Sequence, residues 1–174
     1  MVWYFFTVSS FLLWCLVFSE TLHAHELRPA VANVVVTETE VEIKLLVNIE
    51  TILAGIDLAK VTDTDEAPEA KFYDQLRSLS ADELARLVES EWINLEKGML
   101  VDGADRFRLQ SVKVLEEKNV ELPRDTIVEM IAKLKLGAGP VAIGWVKKNG
   151  NLVVRHGNGA VSYTHLRAHE TTHD

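Results

Sequence analysis

The sequence has very little cysteine, and it lacks several of the short motifs that mark common enzyme sites. Its one cysteine, Cys15, lies in an N-terminal segment that we predict is removed. The rest of the chain then offers no disulfide, thiolate metal site or cysteine nucleophile. The patterns G-x-S-x-G, G-x-x-x-x-G-K and G-x-G-x-x-G, which mark hydrolase, phosphate and dinucleotide sites, are absent. We therefore predict that the protein is not an enzyme.

Positive charge is also scarce. The chain has 18 Lys and Arg residues against 26 Asp and Glu residues, which gives a formal net charge of -8. A negative balance scattered along the chain argues against nucleic acid or anionic lipid headgroups as partners. It is compatible with bound cations, although a solvated acidic surface has the same composition.

The N-terminal segment lacks charge altogether from Val2 to Phe18. This apolar run falls short of the roughly 20 residues that a membrane-spanning helix needs, and polar residues and the small Ala24 follow it. These features are typical of a secretory signal peptide. We predict a signal peptide over residues 1–24, cleaved after Ala24, which exports the protein to the periplasmic face of the inner membrane.

The C-terminal residues have a different origin in our interpretation. Val161 to Thr171 reads VSYTHLRAHET, which resembles the conceptual translation of a sequencing adapter, so we predict that residues 161–174 are an artefact. Residues 169–173 match H-E-x-x-H, the zinc-protease motif. We reject a zinc protease because the motif straddles the end of the adapter-like string and leaves no chain for a third ligand.

Residues 25–160 form the predicted domain. Ala32 to Thr39 is rich in β-branched residues, apolar and polar residues alternate from Glu40 to Asn48, and the polar stretch Thr37 to Glu40 predicts a hairpin between the two strands. Similar patterns recur after Gly98, which predicts strands on both sides of a helical insertion at about residues 65–96. Ser80 and Glu83 have the spacing of a capping box that begins a helix, and Asn149-Gly150 predicts a tight hairpin. The order predicts a mainly β (α+β) protein, an immunoglobulin-like antiparallel β-sandwich with inserted helices.

A metal site is the one chemical function that the predicted mature N-terminus suggests. Cleavage after Ala24 gives His25 a free α-amine beside its imidazole, and Glu26 or His156 supplies a further ligand. Such donors suit Cu, Ni or Zn. The alternative is that His25 is an exposed terminal residue and that His156, a lone histidine at a strand end, is structural or solvated.

Four stretches of the sequence resemble the exported N-terminal region of HupE/UreJ-type membrane proteins. They are AHELRPA at residues 24–30, Asn48-Ile49-Glu50, LAGIDL at residues 53–58 and VAIGW at residues 141–145. The resemblance implies a role in hydrogenase or urease accessory functions, in which a membrane domain moves nickel or related ions. It also implies that such a domain follows residue 160 in the natural protein and is the partner of this one, which would assist nickel or cobalt handling.

Two other interpretations stay open. Periplasmic copper-binding proteins of the CopC type also begin with His on a β-sandwich, and the chain is similar to them in His25 and in the predicted fold. That similarity implies a free periplasmic metal-binding module. The third interpretation is a structural or interaction domain that binds no ligand.

Overall fold

The computed structural model describes residues 28–61, 63–117, 122–137 and 141–157 and the backbone of residues 160–162. These residues form a mixed α+β body in which strands predominate, as predicted. The predicted signal peptide and the H-E-x-x-H motif lie outside the described residues. In chain order the elements are β1 (Ala30–Val36), β2 (Glu40–Val47), α1 (Ile49–Ala54), α2 (Ala70–Arg77), α3 (Ala81–Glu96), β3 (Met99–Asp102), β4 (Arg108–Val114), β5 (Thr126–Lys133), β6 (Ala142–Trp145), β7 (Leu152–His156) and β8 (Ala160–Ser162).

The strands form two sheets. The main sheet has six strands in the order β4-β5-β2-β1-β7-β8, and the second sheet pairs β3 with β6. Neighbouring strands are antiparallel except β1 and β7, which run parallel with Ala30 opposite Leu152. The predicted hairpin between β1 and β2 is present, and the backbone N–H of Thr37 donates to the carbonyl of Glu40 at 2.9 Å to close its turn.

Three details of the predicted sheet arrangement are wrong or unconfirmed. The wholly antiparallel arrangement is wrong at the β1/β7 pair, and the second sheet of two strands does not confirm an immunoglobulin-like sandwich. Asn149-Gly150 does not make a tight hairpin either, since β6 pairs with β3 and β7 pairs with β1. The chain changes sheets there through a short 3-10 turn at Lys147–Asn149.

The structure requires glycine at position 150, where the chain changes sheets. Its φ of 81° and ψ of -156° lie in a region of backbone space that side chains disfavour. A Cβ atom at this position would also come within 3.1 Å of the Leu58 Cβ. The turn therefore needs glycine for its backbone conformation and for the close approach of Leu58. This need does not depend on a hairpin, since β6 and β7 on either side of the turn do not pair with each other.

The main sheet is buried on one face. In β2 the odd-numbered residues from Val41 to Val47 are buried and the even-numbered ones are more exposed, as the alternating sequence predicts. The neighbouring strands continue the same inner face, which consists of Ala30, Ala32, Val34, Val41, Ile43, Leu45, Val47, Val128, Met130 and Ala132. Met99, Val101, Ile143 and Trp145 of the second sheet pack against this core.

The helices cover the inner face. The predicted capping box of α3 is confirmed: the Ser80 hydroxyl accepts from the Glu83 backbone, and the Glu83 carboxylate accepts from the Ser80 backbone. One helical turn apart, Leu84 and Val88 of α3 are fully buried in the core of the main sheet. A smaller apolar cluster between α1, α2 and the preceding loop contains Ala54, Ile56, Ala67, Tyr73 and Leu76.

None of the helices in the described ranges combines the length and the apolar character that a bilayer crossing requires.

We predict that Leu84→Ala lowers the free energy of unfolding by about 2–5 kcal/mol, because it leaves a cavity in the core. Ile93→Ala is the matched control, since Ile93 lies on the same helix and is 71% exposed. That change should stay within about 0.5 kcal/mol of the wild type. Urea unfolding of the three proteins measures both effects, and equal losses in the two variants would contradict the packing of α3 described above.

Candidate functional site

The predicted metal ligands lie in separate parts of the chain. His25 and Glu26 fall outside the described residues, so the N-terminal metal site stays a prediction. His156 ends β7, where it is exposed and lies opposite Val34 of β1. Within the ranges that the structure describes, no group of three or more His, Cys, Asp and Glu side chains is arranged to hold a metal ion.

The register of β1 and β7 fixes where His156 lies relative to the start of β1. Parallel pairing sets Leu152 beside Ala30 and His156 beside Val34. Four residues of strand correspond to about 13 Å, so His156 is well removed from the end of the sheet at which β1 begins. A metal ion shared between His25 and His156 therefore requires the N-terminal residues to run back along the sheet.

A buried ion pair lies where the helices meet the main sheet. The Glu50 side chain is fully buried, and its Oε1 accepts a hydrogen bond from Nε of Arg124 at 2.8 Å. The Arg124 side chain is itself only 12% exposed. Removing two charges from water costs several kcal/mol per ion, so such a pair depends on further hydrogen bonds around it.

Arg124 makes those further bonds on the helical side. Its guanidinium donates to the carbonyl oxygen of Leu79 at 2.8 Å and to that of Leu76 at 3.1 Å. Leu76 lies in the last turn of α2, and Leu79 lies between α2 and α3. One side chain thus joins α1, through Glu50, to the α2–α3 junction and to the segment that enters β5.

The second carboxylate oxygen of Glu50 is buried and has no partner among the described residues. The hydroxyls of Thr64 and Thr126 are buried without a described partner as well. Buried polar atoms in folded proteins nearly always have a hydrogen-bond partner, either protein or ordered water. A bound water that donates to Glu50 would complete this centre without any change in the fold.

Asn48 and Tyr73 extend the buried polar centre. The Asn48 side chain caps α1 by accepting from the backbone N–H of Thr51 at 3.2 Å, and it donates to the Tyr73 hydroxyl at 3.1 Å. Burial raises the pKa of the Tyr73 phenol, against the lowering effects of the Asn48 hydrogen bond and the nearby charge of Arg77. Tyr73 is therefore a neutral phenol at physiological pH and serves as a hydrogen-bond acceptor for Asn48.

Sequence reasoning found only part of this centre. Asn48 and Glu50 belong to a stretch that carries the family resemblance, but no pattern singled out Arg124. The two ion-pair partners are 74 residues apart in the sequence, and a pairing of that kind leaves no local signal. A carboxylate inside the apolar helix Ile49–Ala54 is the feature that predicts a buried partner, because an unpaired buried charge is strongly unfavourable.

An open cleft of about 470 Å³ lies beside β3. Its lining includes Glu96, Asp102 and Arg106. Glu96 is 7% exposed; its Oε2 lies 2.9 Å from the Arg106 guanidinium, and its Oε1 accepts from the Phe107 backbone N–H at 3.3 Å. The most buried charge in the cleft is thus neutralised by the protein itself. The cleft is also lined by the apolar side chains of β3 and by the charged side chains of Lys97 and Asp102.

The side of the main sheet opposite the core, which we call the outer face, is open to solvent in the described part of the protein. One line of neighbouring residues across this face is apolar and partly exposed, and we call it the apolar row. The strand registers set its members side by side on β5, β2, β1 and β7: Ile127, Leu46, Val31 and Val153. At a strand spacing of about 4.8 Å, the row extends about 15 Å.

No family model, curated protein or solved structure matches this chain.

We predict that Arg124→Met lowers the free energy of unfolding by about 3–5 kcal/mol, because it leaves the Glu50 carboxylate buried and unpaired. The double variant Glu50→Gln/Arg124→Met should recover at least about 1 kcal/mol of that loss, since it removes the buried charge. Urea unfolding measures each value.

Lys60→Met is the control for this experiment, since the ion pair of Lys60 with Asp57 has the same 2.8 Å separation but the Lys60 side chain is 79% exposed. Exposed pairs contribute at most about 1 kcal/mol. A loss in Arg124→Met no larger than that in Lys60→Met would show that the buried pair does not organise the helix–sheet junction.

Proposed function

We propose that this chain is a non-catalytic extracytoplasmic domain of a membrane protein similar to the HupE/UreJ type. In this proposal the domain assists nickel or cobalt handling, and a separate membrane domain carries the ion. The outer face of the main sheet is the surface through which this domain docks to its partner. The apolar row is the observation on which the docking role rests. Contiguous apolar surface on a folded domain marks interaction sites more often than single exposed side chains do.

The geometry around the apolar row supports docking in a second way. The buried side of the same strands already holds the whole core of the main sheet, so the outer face is not needed to fold the domain. Its residues are nevertheless aliphatic at four adjacent positions on four strands. Covering this surface removes apolar area from water, which is worth about 25 cal/mol per Å², without disturbing the core.

The membrane and metal parts of the proposal rest on the sequence. Two of the stretches that carry the resemblance have clear roles in packing: Asn48 caps α1, and Glu50 binds Arg124. Gly55, within the stretch at residues 53–58, ends α1 with a φ of 83°. The resemblance therefore falls on residues that fix the helix–sheet junction, which supports a shared domain architecture rather than a shared ligand site.

The membrane part of the proposal predicts the sequence of the natural gene. Genomic DNA read beyond codon 160 should encode several apolar segments of about 20 residues each, long enough to cross a bilayer as helices. Sequencing across the locus tests this directly. A frame that ends, or that continues without such segments, would remove the membrane protein from the proposal and favour a free periplasmic module.

The metal part predicts a measurable site at the mature N-terminus. Isothermal titration of protein that begins at His25 should show binding of Ni²⁺ or Cu²⁺, and His25→Ala should weaken it at least about tenfold, since even outer-shell changes at metal sites cost that much. His156→Ala, with its imidazole exposed at the end of β7, distinguishes a shared site from a purely N-terminal one. Equal affinities in all three proteins would end the case for metal binding through these histidines and leave a docking domain without a metal.

A further inference from the structure

The negative charge of this protein is concentrated in one part of the chain. Of the net charge of -8, the helical segment from residue 49 to residue 97 accounts for most, with twelve Asp and Glu residues against five Lys and Arg residues. The expectation of a scattered negative balance is therefore wrong. Because α3 packs on the inner face of the main sheet, the acidic helices and the outer face lie on opposite sides of the molecule.

The outer face has the opposite sign of charge. The alternation of the strands directs five cationic side chains and three carboxylates to it: Lys44, Arg108, Lys113, Lys133 and Arg155 against Glu40, Glu42 and Glu129. Lys44 is neutralised by Glu129, whose carboxylate lies 3.1 Å from its Nζ and also accepts from the Ser111 hydroxyl at 2.8 Å. This contact leaves four cations and two carboxylates outside an ion pair on the described face.

The four remaining cations are exposed, and the strand registers place them either in line with the apolar row or on one side of it. Lys113 continues the row itself at its β4 end, directly across from Ile127. Arg155 lies on β7 two residues beyond Val153, and Arg108 lies across from Ile131 of β5. Within the residues described here, no carboxylate lies at ion-pair distance from Arg108, Lys113, Lys133 or Arg155. Lys133, six residues along β5 from Ile127, lies opposite Glu40 of β2. The face therefore has the apolar row toward one end and an excess of cations over carboxylates along the rest of it.

We infer that the outer face of the main sheet binds the surface of an anionic phospholipid bilayer. This inference rests on the proposed function for its setting, since a domain tethered to a membrane protein is held beside such a surface. Lys and Arg side chains at an anionic bilayer each strengthen binding by roughly fivefold, and partly exposed aliphatic side chains pack against the boundary between headgroups and acyl chains.

The overall negative charge does not oppose this binding. Charges in the helical layer lie on the far side of the sheet from the bilayer, and at 0.1 M salt exposed charges more than about 10 Å apart are largely screened from each other. The local sign of the face, rather than the net charge of the chain, determines which surface it approaches. On this inference anionic lipid, which the net charge of the sequence argues against, becomes a partner of one face of the molecule.

Vesicle flotation with charge-neutralised variants tests the inference. Vesicles of equal parts phosphatidylglycerol and phosphatidylcholine are compared with vesicles of phosphatidylcholine alone, using the full chain. The test variant is Arg108→Gln/Lys113→Gln/Arg155→Gln, and the matched control is Lys60→Gln/Lys71→Gln/Arg86→Gln, which removes the same charge from exposed positions of the acidic helical segment. Residues 1–24 are the same in every protein, so whatever they contribute to binding cancels in the comparison.

We expect the wild type to bind the anionic vesicles more tightly than the neutral ones, and we expect added salt to weaken that preference. The test variant should lose at least about tenfold in binding to anionic vesicles, whereas the control variant should stay within about threefold of the wild type. The salt dependence of the wild type needs no substitution, so it remains informative even if the test variant fails to fold.

Three results would overturn the inference. They are equal binding to the two kinds of vesicle, equal losses in the two variants, and a self-association of the wild type that the test variant abolishes without any dependence on anionic lipid. The last result would show that the outer face binds the acidic helical side of a second copy of this chain instead of lipid. None of these results bears on the reading frame beyond codon 160, so failure of the lipid surface and failure of the proposed membrane protein are separate outcomes.

Discussion

The burial of only one face of the main sheet is the constraint on which the rest of this structure depends. Alternation in β2 sends Val41, Ile43, Leu45 and Val47 to one side, and the registers of β1 and β5 continue that side across the sheet. The helices and the small second sheet cover it, because that is where apolar area can be removed from water. The same alternation leaves the other side as a surface whose residues are free to serve a partner.

The Glu50–Arg124 pair joins the two layers that this constraint creates. Packing alone brings helices onto a sheet in several similar arrangements, whereas a guanidinium that binds one carboxylate and two helix-end carbonyls accepts far fewer. The pair thus fixes the orientation of α1 and the α2–α3 junction relative to β5. Its cost in desolvation is offset by the number of hydrogen bonds that Arg124 makes, and a water donating to the second Glu50 oxygen would lower that cost further.

The separation of charge between the two layers makes the molecule electrostatically polar. Acidic side chains predominate on the helices, and cations predominate on the outer face, although the sequence as a whole is acidic. On the proposed binding to a bilayer, a domain with this polarity approaches the anionic surface sheet-first and keeps its helices toward solvent.

The sequence by itself determined the elements: the strands, the predicted hairpin between β1 and β2, and the capping box that begins α3 all follow from residues within a few positions of one another. Only the tertiary structure decided the parallel pairing of β1 with β7, the change of sheet at Asn149-Gly150, the partner of Glu50 and the charge of the outer face. These features join residues far apart in the chain, and their pairing is set by how the layers pack. Local periodicity shows which residues share a face of one strand. The tertiary packing of the core decides which strands are neighbours, and therefore which charged residues share a surface.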